Sequence, residues 1–200
     1  MNAAVDSPPR GREAAILDAA LAVLARDGIG GVSMRAVARE AEVSLGLASY
    51  YFADKTALVA AALRRIGEED LAIVRPAEGT PGDRLRAALD RVAAPELLHR
   101  EYLALRLQLW SLAAVDETYA EINRAGQRRY LGELAGLIAA AVDGIDGAEA
   151  MRRAGEILVV QNGIWLTTAI FDDPAAQRRS AERCRQIAFA PTSPQEARAR

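Results

Sequence analysis

The fold is decided by the stretch 32–58, which reads VSMRAVAREAEVSLGLASYYFADKTAL. Ser33, Ser44 and Asp54 are residue types that favour helix N-caps, so they predict short helices over 34–41 and 45–51 and a longer helix after Asp54. Two short helices joined by a tight turn and braced by longer ones are typical of a helix-turn-helix, whose second helix enters the DNA major groove. The spacing alone also fits an ordinary packed helical corner.

The rest of the chain has apolar residues at helical spacing, interrupted by Gly and Pro, and no strand-like alternation. We expect a first helix that ends at Gly28 and five later helices, at about 83–93, 96–115, 117–142, 148–171 and 174–188. The fold class is all-α with about nine helices, a three-helix head followed by a ligand-binding and dimerisation bundle. The expected divisions are a tail over 1–12, the head over 13–56, the bundle over 57–190 and a tail over 191–200.

Composition excludes several classes of protein. With 200 residues, 51% of them hydrophobic and 26% charged, the chain has the make-up of a globular protein. A single cysteine, Cys184, and a single histidine leave no internal disulfide and no metal cluster, and Cys184 has no resolving partner that would make it a redox sensor. We find no secretory signal and no apolar run of membrane-spanning length, so we expect a cytoplasmic protein.

Segment 32–58 resembles the DNA-binding head of the TetR family of one-component transcriptional repressors. The matching features are Gly28 after the first helix, Val43-Ser44-x-Gly46 entering the third helix and Tyr51-Phe52-x-x-Lys55-x-x-Leu58 leaving it. Glu42 stands where that family usually has glycine, and Ser49 where it usually has tyrosine. A residue other than glycine in a left-handed turn costs about 1 kcal/mol, which a fold can absorb.

Nine side chains of the head are candidate DNA contacts: Ser33, Arg35, Ser44, Leu45, Gly46, Leu47, Tyr50, Tyr51 and Lys55. The two serines can bind phosphate at helix starts, or act as caps alone. A cation in the first turn of a helix is disfavoured by the helix dipole, so Lys55 suggests an external anion. The exposed positions of the third helix offer few hydrogen bonds, so we expect readout through thymine methyls, close backbone approach and DNA shape.

Electrostatics do not favour DNA binding by the head as a whole. Residues 1–55 contain six basic and seven acidic side chains, a net charge of −1. A positive electrostatic field must therefore come from where the basic side chains are placed. We expect Arg10 and Arg12 on the tail to reach phosphates or the minor groove.

Specific binding by so small a head requires a second head about 34–36 Å away, held by a symmetric dimer. The last two helices are the candidates, since 157–160, Ile164, Leu166 and Ile170 make the penultimate helix apolar on more than one face. One such face would meet the partner subunit. We interpret the arginines of the final helix as a charged outer surface.

Two helices of the bundle carry polar and aromatic side chains inside apolar runs, as small-molecule pockets do. The candidates are Tyr102, Arg106, Trp110, Gln161, Asn162 and Trp165. Segments 109–110, 119–134 and 162–166 are similar to the ligand domain of TetR-family regulators related to the choline-responsive repressor of betaine synthesis. The tryptophans suit a cationic ligand and Arg106 suits a carboxylate, so both ligand charges stay open.

These observations predict a ligand-responsive, homodimeric DNA-binding regulator, a repressor that a small-molecule effector releases from a palindromic double-stranded operator. The alternative is a helical small-molecule-binding or scaffold protein without DNA affinity, which the acidic balance of the head and Glu42 favour. An enzyme is the third reading, because the sequence has no catalytic constellation, phosphate loop or paired-carboxylate site; no cofactor or metal is expected.

Overall fold

The structure is a computed structural model that describes residues 9–76, 78–92, 94, 97–98, 100–171 and 173–191. Within these residues there are nine α-helices and no strand, which confirms the all-α prediction. The helices are α1 (Pro9–Gly31), α2 (Met34–Glu40), α3 (Leu45–Tyr51), α4 (Lys55–Ile73), α5 (Pro81–Val92), α6 (Arg100–Val115), α7 (Glu117–Ala141), α8 (Gly147–Phe171) and α9 (Pro174–Ala188). Most of the expected tail residues, 1–8 and 192–200, lie outside the described part.

Helix α1 begins earlier than the sequence predicts. It starts at Pro9, so residues 9–12, which we expected in the tail, are helical and Arg10 and Arg12 belong to α1. Proline is favoured at the first helical position, because the N–H that it lacks would have no helical acceptor there. The expectation that these two arginines lie on a tail before the first helix is therefore wrong, and their contact with phosphates or the minor groove stays a prediction.

Helix α1 is interrupted at Gly28, where a helix end was predicted. The backbone of Gly28 has φ 70° and ψ −179°, and helical structure resumes up to Gly31. A Cβ atom at Gly28 would lie 3.2 Å from Oε1 of Gln108 in α6. The positive φ thus favours glycine at this position.

The chain divides into two compact units, which we describe separately. The first runs up to Ile66 and includes Ala104–Asn123. Its core is formed by apolar side chains from successive helices, namely Ile16, Val23, Leu24, Val37, Ala48, Phe52 and Leu58. This unit is larger than the predicted head over 13–56, because the first part of α4 and most of α6 belong to it.

The second unit consists of Gly67–Leu103 and Arg124–Arg200. Helix α9 packs against α8 and α5, and the core contains Leu85, Leu89, Leu134, Ile138, Ile157, Cys184 and Ile187. The buried side chain of Arg153 in α8 donates to the carbonyl oxygens of Ala188 (3.1 Å) and Ala190 (2.7 Å). Arg153 thereby satisfies carbonyl groups at the end of α9 that the helix itself leaves without partners.

Helix α8 has the length and apolar composition needed to span a membrane, although the sequence analysis expected no such segment. Among the described helices it alone passes that test. It buries Arg153 and Gln161 within the second unit, on the side that packs against other helices. Its composition therefore also fits a core helix of a helical bundle.

Candidate DNA interface and effector residues

Helices α2 and α3 form the helix-turn-helix predicted from their caps. The Oγ atom of Ser33 accepts a hydrogen bond from the N–H of Ala36 (3.1 Å), and Oγ of Ser44 accepts one from the N–H of Leu47 (3.1 Å). Each serine satisfies a backbone donor that the first turn of its helix leaves free. Capping is thus the role that the contacts show for both serines, and one hydroxyl proton of each stays available to a phosphate.

The turn between α2 and α3 contains the left-handed residue that the sequence analysis assigned to Glu42, whose φ is 54°. The N–H of Glu42 donates to the carbonyl oxygen of Arg39 (3.2 Å), and that of Val43 donates to the carbonyl oxygen of Ala38 (2.9 Å). This pair of bonds is a Schellman motif, which normally has glycine at the left-handed position. The turn is therefore formed by its hydrogen bonds in spite of an unfavourable residue.

Helix α3 has one buried and one exposed face. Ala48 and the following Phe52 point into the core of the first unit. Tyr50 lies on the opposite face and is 80% exposed, and Leu45 at the start of the helix is 42% exposed. Gly46 lies one helical turn before Tyr50 on the same face, and a Cβ atom there would meet only Oγ of Ser44, at 3.9 Å. Nothing in the described residues of this chain therefore requires glycine at position 46.

The two adjacent tyrosines of α3 have different surroundings. Tyr51 is half-buried, and its ring packs edge-on against that of Tyr50, with ring centroids 5.3 Å apart and an interplanar angle of 85°. Leu47 is also half-buried. Tyr50 is thus the outermost aromatic group of α3. Tyr51 and Leu47 lie at the edges of the exposed face of the helix.

Lys55 has a partner inside the protein that the sequence analysis missed. Its Nζ atom donates to the carbonyl oxygen of Ile29 at a distance of 2.7 Å. Ile29 follows the interruption at Gly28, near the C-terminal end of α1, where carbonyl groups lack helical donors. This carbonyl explains a cation in the first turn of α4, so an external anion is no longer needed to account for Lys55.

The charges of the head are partly neutralised within it. Arg26 of α1 pairs with Asp27 and with Glu40 of α2, and its guanidinium holds the pKa of the Glu40 carboxyl below its usual value. Arg35 and Arg39 are exposed on α2, and neither forms a salt bridge with another residue that the structure describes. The two arginines are thus placed to supply positive charge at the surface of the helix-turn-helix.

Two of the predicted effector residues meet in the first unit. Arg106 is 7% exposed, and its Cζ atom lies 5.4 Å from the ring centroid of Trp110, one turn later in α6. A guanidinium already covers this ring through a cation–π contact. The contact does not favour the expectation that Trp110 binds a cationic ligand through its ring.

The other predicted effector residues belong to the second unit. Gln161 is fully buried, and its Oε1 atom accepts a hydrogen bond from the hydroxyl of Tyr130 (2.5 Å), while its Nε2 atom has no acceptor among the described residues. Trp165 is also buried and donates from Nε1 to the carbonyl oxygen of Val92 (3.3 Å). Asn162 is half-buried. Gln161 and Trp165 therefore share the inner face of α8, and Asn162 does not.

Tyr102 and Tyr130 form two further hydrogen bonds of the second unit. The hydroxyl of Tyr102 donates to Oδ1 of Asp70 at 3.3 Å. Tyr130 was not among the sequence candidates, although a tyrosine inside the apolar face of a helix needs a hydrogen-bond partner and could have been recognised on that ground. The structure supplies that partner from α8, 31 residues later in the chain.

Helix α8 also has an apolar face that no described residue of the chain covers. Val159 is 72% exposed, and Gly163, Leu166 and Ile170 lie on the same side of the helix and are exposed as well. Ile157 and Ile164 are buried on the opposite side. The two apolar faces that the sequence analysis expected of this helix are present.

Cys184 of α9 is fully buried in the second unit. Burial raises the pKa of its thiol to about 11, so the thiolate is disfavoured at neutral pH. A buried thiol with a raised pKa is a poor nucleophile, in line with the inert role expected of it.

Two family models match this chain. A family model described as bacterial regulatory proteins, TetR family, matches residues 16–62, which include the helix-turn-helix. A second model, described as BetI-type transcriptional repressor, C-terminal, matches residues 81–189, more than half of the chain. The chain belongs to the TetR family of transcriptional regulators. The resemblance found in segment 32–58 is thereby confirmed.

Individual TetR-family relatives agree with this assignment. The HTH-type transcriptional regulator BetI of Burkholderia mallei is 26% identical over 167 residues, covering 82% of this chain and 84% of that protein. A transcriptional regulator from Pseudomonas aeruginosa PAO1 has a similar structure, with a TM-score of 0.77, 26% identity and 90% coverage of both chains. The multidrug binding protein EbrR, solved with proflavin, has a TM-score of 0.61 and 27% identity over 88% of this chain and 99% of its own. These names are those of regulators and binding proteins, and the expectation that the chain is not an enzyme is confirmed.

Proposed function

We propose that this protein is a ligand-responsive, homodimeric repressor that acts in the cytoplasm and leaves a palindromic DNA operator when a small-molecule effector binds. The observation that carries the proposal is the exposed face of α3, where Gly46 and Tyr50 stand away from the core. Exposure of a glycine and a large aromatic side chain on a short helix does not stabilise the fold. Close approach to a DNA groove gives both residues a role.

The head supplies two kinds of DNA contact in this proposal. Leu45, Gly46, Leu47 and Tyr50 approach the base edges, because they form or border the outer face of α3. Contacts with the phosphates come from the remaining candidates, which are Ser33, Arg35, Ser44, Tyr51 and Lys55. The ammonium of Lys55 has three donors, so its bond to Ile29 leaves two for a phosphate.

Dimerisation uses the outer face of α8. An exposed apolar stripe around Val159 and Leu166 is costly in water and is covered when the same stripe of a second subunit packs on it across a two-fold axis. Gly163 lies in the middle of the stripe, where a missing side chain permits close packing of two helices. A dimer of this kind would present two heads to the two halves of a palindrome.

Effector binding is assigned to the polar and aromatic residues of α6 and α8. Arg106, buried beside the half-buried Trp110 in the first unit, and Gln161 with Trp165, both buried in the second, are polar and aromatic groups of the kind that orient a ligand. Tyr102 and Asn162 are half-buried candidates. The effector shifts the protein toward a state with low operator affinity only as far as it binds that state more tightly.

A mobility-shift assay with the DNA upstream of the protein's own gene tests DNA binding against the scaffold alternative. We expect the full-length protein to retard this fragment in the presence of excess unrelated DNA. Arg35→Ala should weaken the complex, whereas Arg183→Ala, which removes an equal charge from the exposed side of α9, should leave it unchanged. Equal effects of the two variants, or no complex with any fragment, would support a helical binding or scaffold protein instead.

A further inference from the structure

The outer face of α3 lacks the side chains that distinguish bases by paired hydrogen bonds. Arginine or lysine recognises guanine in this way, asparagine or glutamine recognises adenine, and a carboxylate recognises cytosine. The helix consists of Leu45-Gly46-Leu47-Ala48-Ser49-Tyr50-Tyr51 and contains none of these residue types. Hydroxyl groups of Ser49 and Tyr50 can donate or accept single bonds, which suit either kind of base pair.

Apolar surface dominates the exposed face instead. Leu45 is 42% exposed at the start of the helix, and the Tyr50 ring is 80% exposed five residues later. Gly46 lies between them, and a Cβ atom there would meet only Oγ of Ser44, at 3.9 Å. No side chain at Gly46 therefore holds the helix backbone away from a groove floor, and Leu45 and Tyr50 lie on either side of this position.

In the major groove only one feature of a base pair is apolar, the 5-methyl group of thymine. We propose that Leu45 and Tyr50 select A·T base pairs by packing on thymine methyl groups, and that Gly46 allows the approach. The operator half-site then has A·T pairs where α3 enters the groove. Its affinity for the protein does not depend on the N7 acceptors of its guanines. This inference rests on the proposed DNA-binding function and names the class of base pair that the site takes.

The test begins with selection of bound duplexes from a synthetic library with 30 randomised base pairs, using the full-length protein. A selected duplex is then prepared again with deoxyuridine in place of the thymidines of one half-site, which removes only methyl groups. Each contacted methyl is expected to contribute about fourfold in affinity, the ratio that follows from burying one such group. The same half-site with 7-deazaguanine, which lacks the N7 acceptor, is expected to bind as before.

Variants identify the residues responsible. Leu45→Ala should bind the thymidine duplex more weakly and lose part of its sensitivity to deoxyuridine, because the contact is already absent. Tyr50→Phe keeps the ring and should retain the preference, whereas Tyr50→Ala should lose it. Arg178→Ala, on the exposed side of α9, serves as a control with unchanged sensitivity.

The possible failures are distinguishable. Enriched half-sites that depend on guanine N7 and are indifferent to the thymine methyl would overturn the inference and leave the DNA-binding function intact. Unchanged deoxyuridine sensitivity in both Leu45→Ala and Tyr50→Ala would show an effect of DNA shape and would also overturn it. A library without any enriched duplex would contradict the proposed function itself, and this inference with it.

Discussion

Lys55 and Ile29 connect the beginning of α4 to the end of α1, through a hydrogen bond of 2.7 Å from Nζ to the carbonyl oxygen. The carbonyl belongs to the short helical segment that follows the interruption at Gly28. Helices α1 and α4 flank the helix-turn-helix in the sequence, so this bond closes the head around α2 and α3. The lysine therefore contributes to folding whether or not it also contacts DNA.

Lys55→Met should lower the free energy of unfolding by about 1–2 kcal/mol, because it keeps the aliphatic stem and removes a charged donor from a partly buried carbonyl. Urea unfolding followed by circular dichroism measures the change. Arg64→Met, at an exposed cation of the same helix, is the matched control and should alter the stability by less than about 0.5 kcal/mol. Equal stability of Lys55→Met and the wild type would mean that the bond to Ile29 contributes nothing in solution.

Glu42→Gly should stabilise the protein by about 1 kcal/mol, since Glu42 has a φ of 54° and glycine adopts that region without strain. The same change removes a negative charge from the turn before α3, so DNA affinity at low salt should rise. Glu42→Gln separates the two effects, because it removes the charge and keeps the strain. Thermal unfolding should show higher stability for Glu42→Gly only. A similar rise in the stability of Glu42→Gln would contradict the assignment to backbone strain.

The carboxyl of Glu149 has a pKa lowered to about 2 by hydrogen bonds from Arg152 and Arg153. A lowered pKa in the folded state gives stability that is complete above the unfolded value near 4.5 and is lost as the pH falls toward 2. Glu149→Gln should therefore cost roughly 1–3 kcal/mol at pH 7, and its deficit against the wild type should shrink between pH 4.5 and 2. Urea titrations across this pH range measure the difference, and a deficit that does not depend on pH would rule out the ion pair as its source.

Val159→Glu should convert the dimer into a folded monomer, because the substitution places two like charges near the two-fold axis of an apolar interface. Sedimentation velocity reports the oligomeric state, and operator affinity should fall together with it. Arg183→Glu, on the exposed side of α9, also introduces a glutamate and is expected to remain dimeric. A dimer that survives Val159→Glu at micromolar concentration would place the interface elsewhere.

Local signals in the sequence predicted most of the fold. The first residue of α3 follows from the cap Ser44, and that of α9 follows from Asp173-Pro174, because N-caps and prolines act on the residues next to them. Helix α1 was predicted to start too late, since Pro9 reads equally as a loop residue and as a first helical residue.

In the candidate site, contacts within one helix could be predicted from the sequence, whereas contacts between helices could not. The contact of Arg106 with Trp110 spans four residues of one helix and could be foreseen from the spacing. The bonds from Lys55 to Ile29 and from Tyr130 to Gln161 span 26 and 31 residues. Such pairs depend on how helices pack, and helical periodicity fixes only which face of each helix is buried. The structure therefore had to supply the internal partner of Lys55.

The exposed glycine of α3, Gly46, gives the most direct test of whether this helix enters the DNA groove. Gly46→Ala adds one methyl group where the chain offers open space, so the free energy of unfolding should stay the same or rise by up to about 1 kcal/mol. The measurement is the dissociation constant of Gly46→Ala for the selected duplex, taken with its urea unfolding curve. We expect at least tenfold weaker DNA binding by a protein that is as stable as the wild type. Undiminished DNA binding by a stable Gly46→Ala protein would contradict the claim that this face of α3 enters the groove.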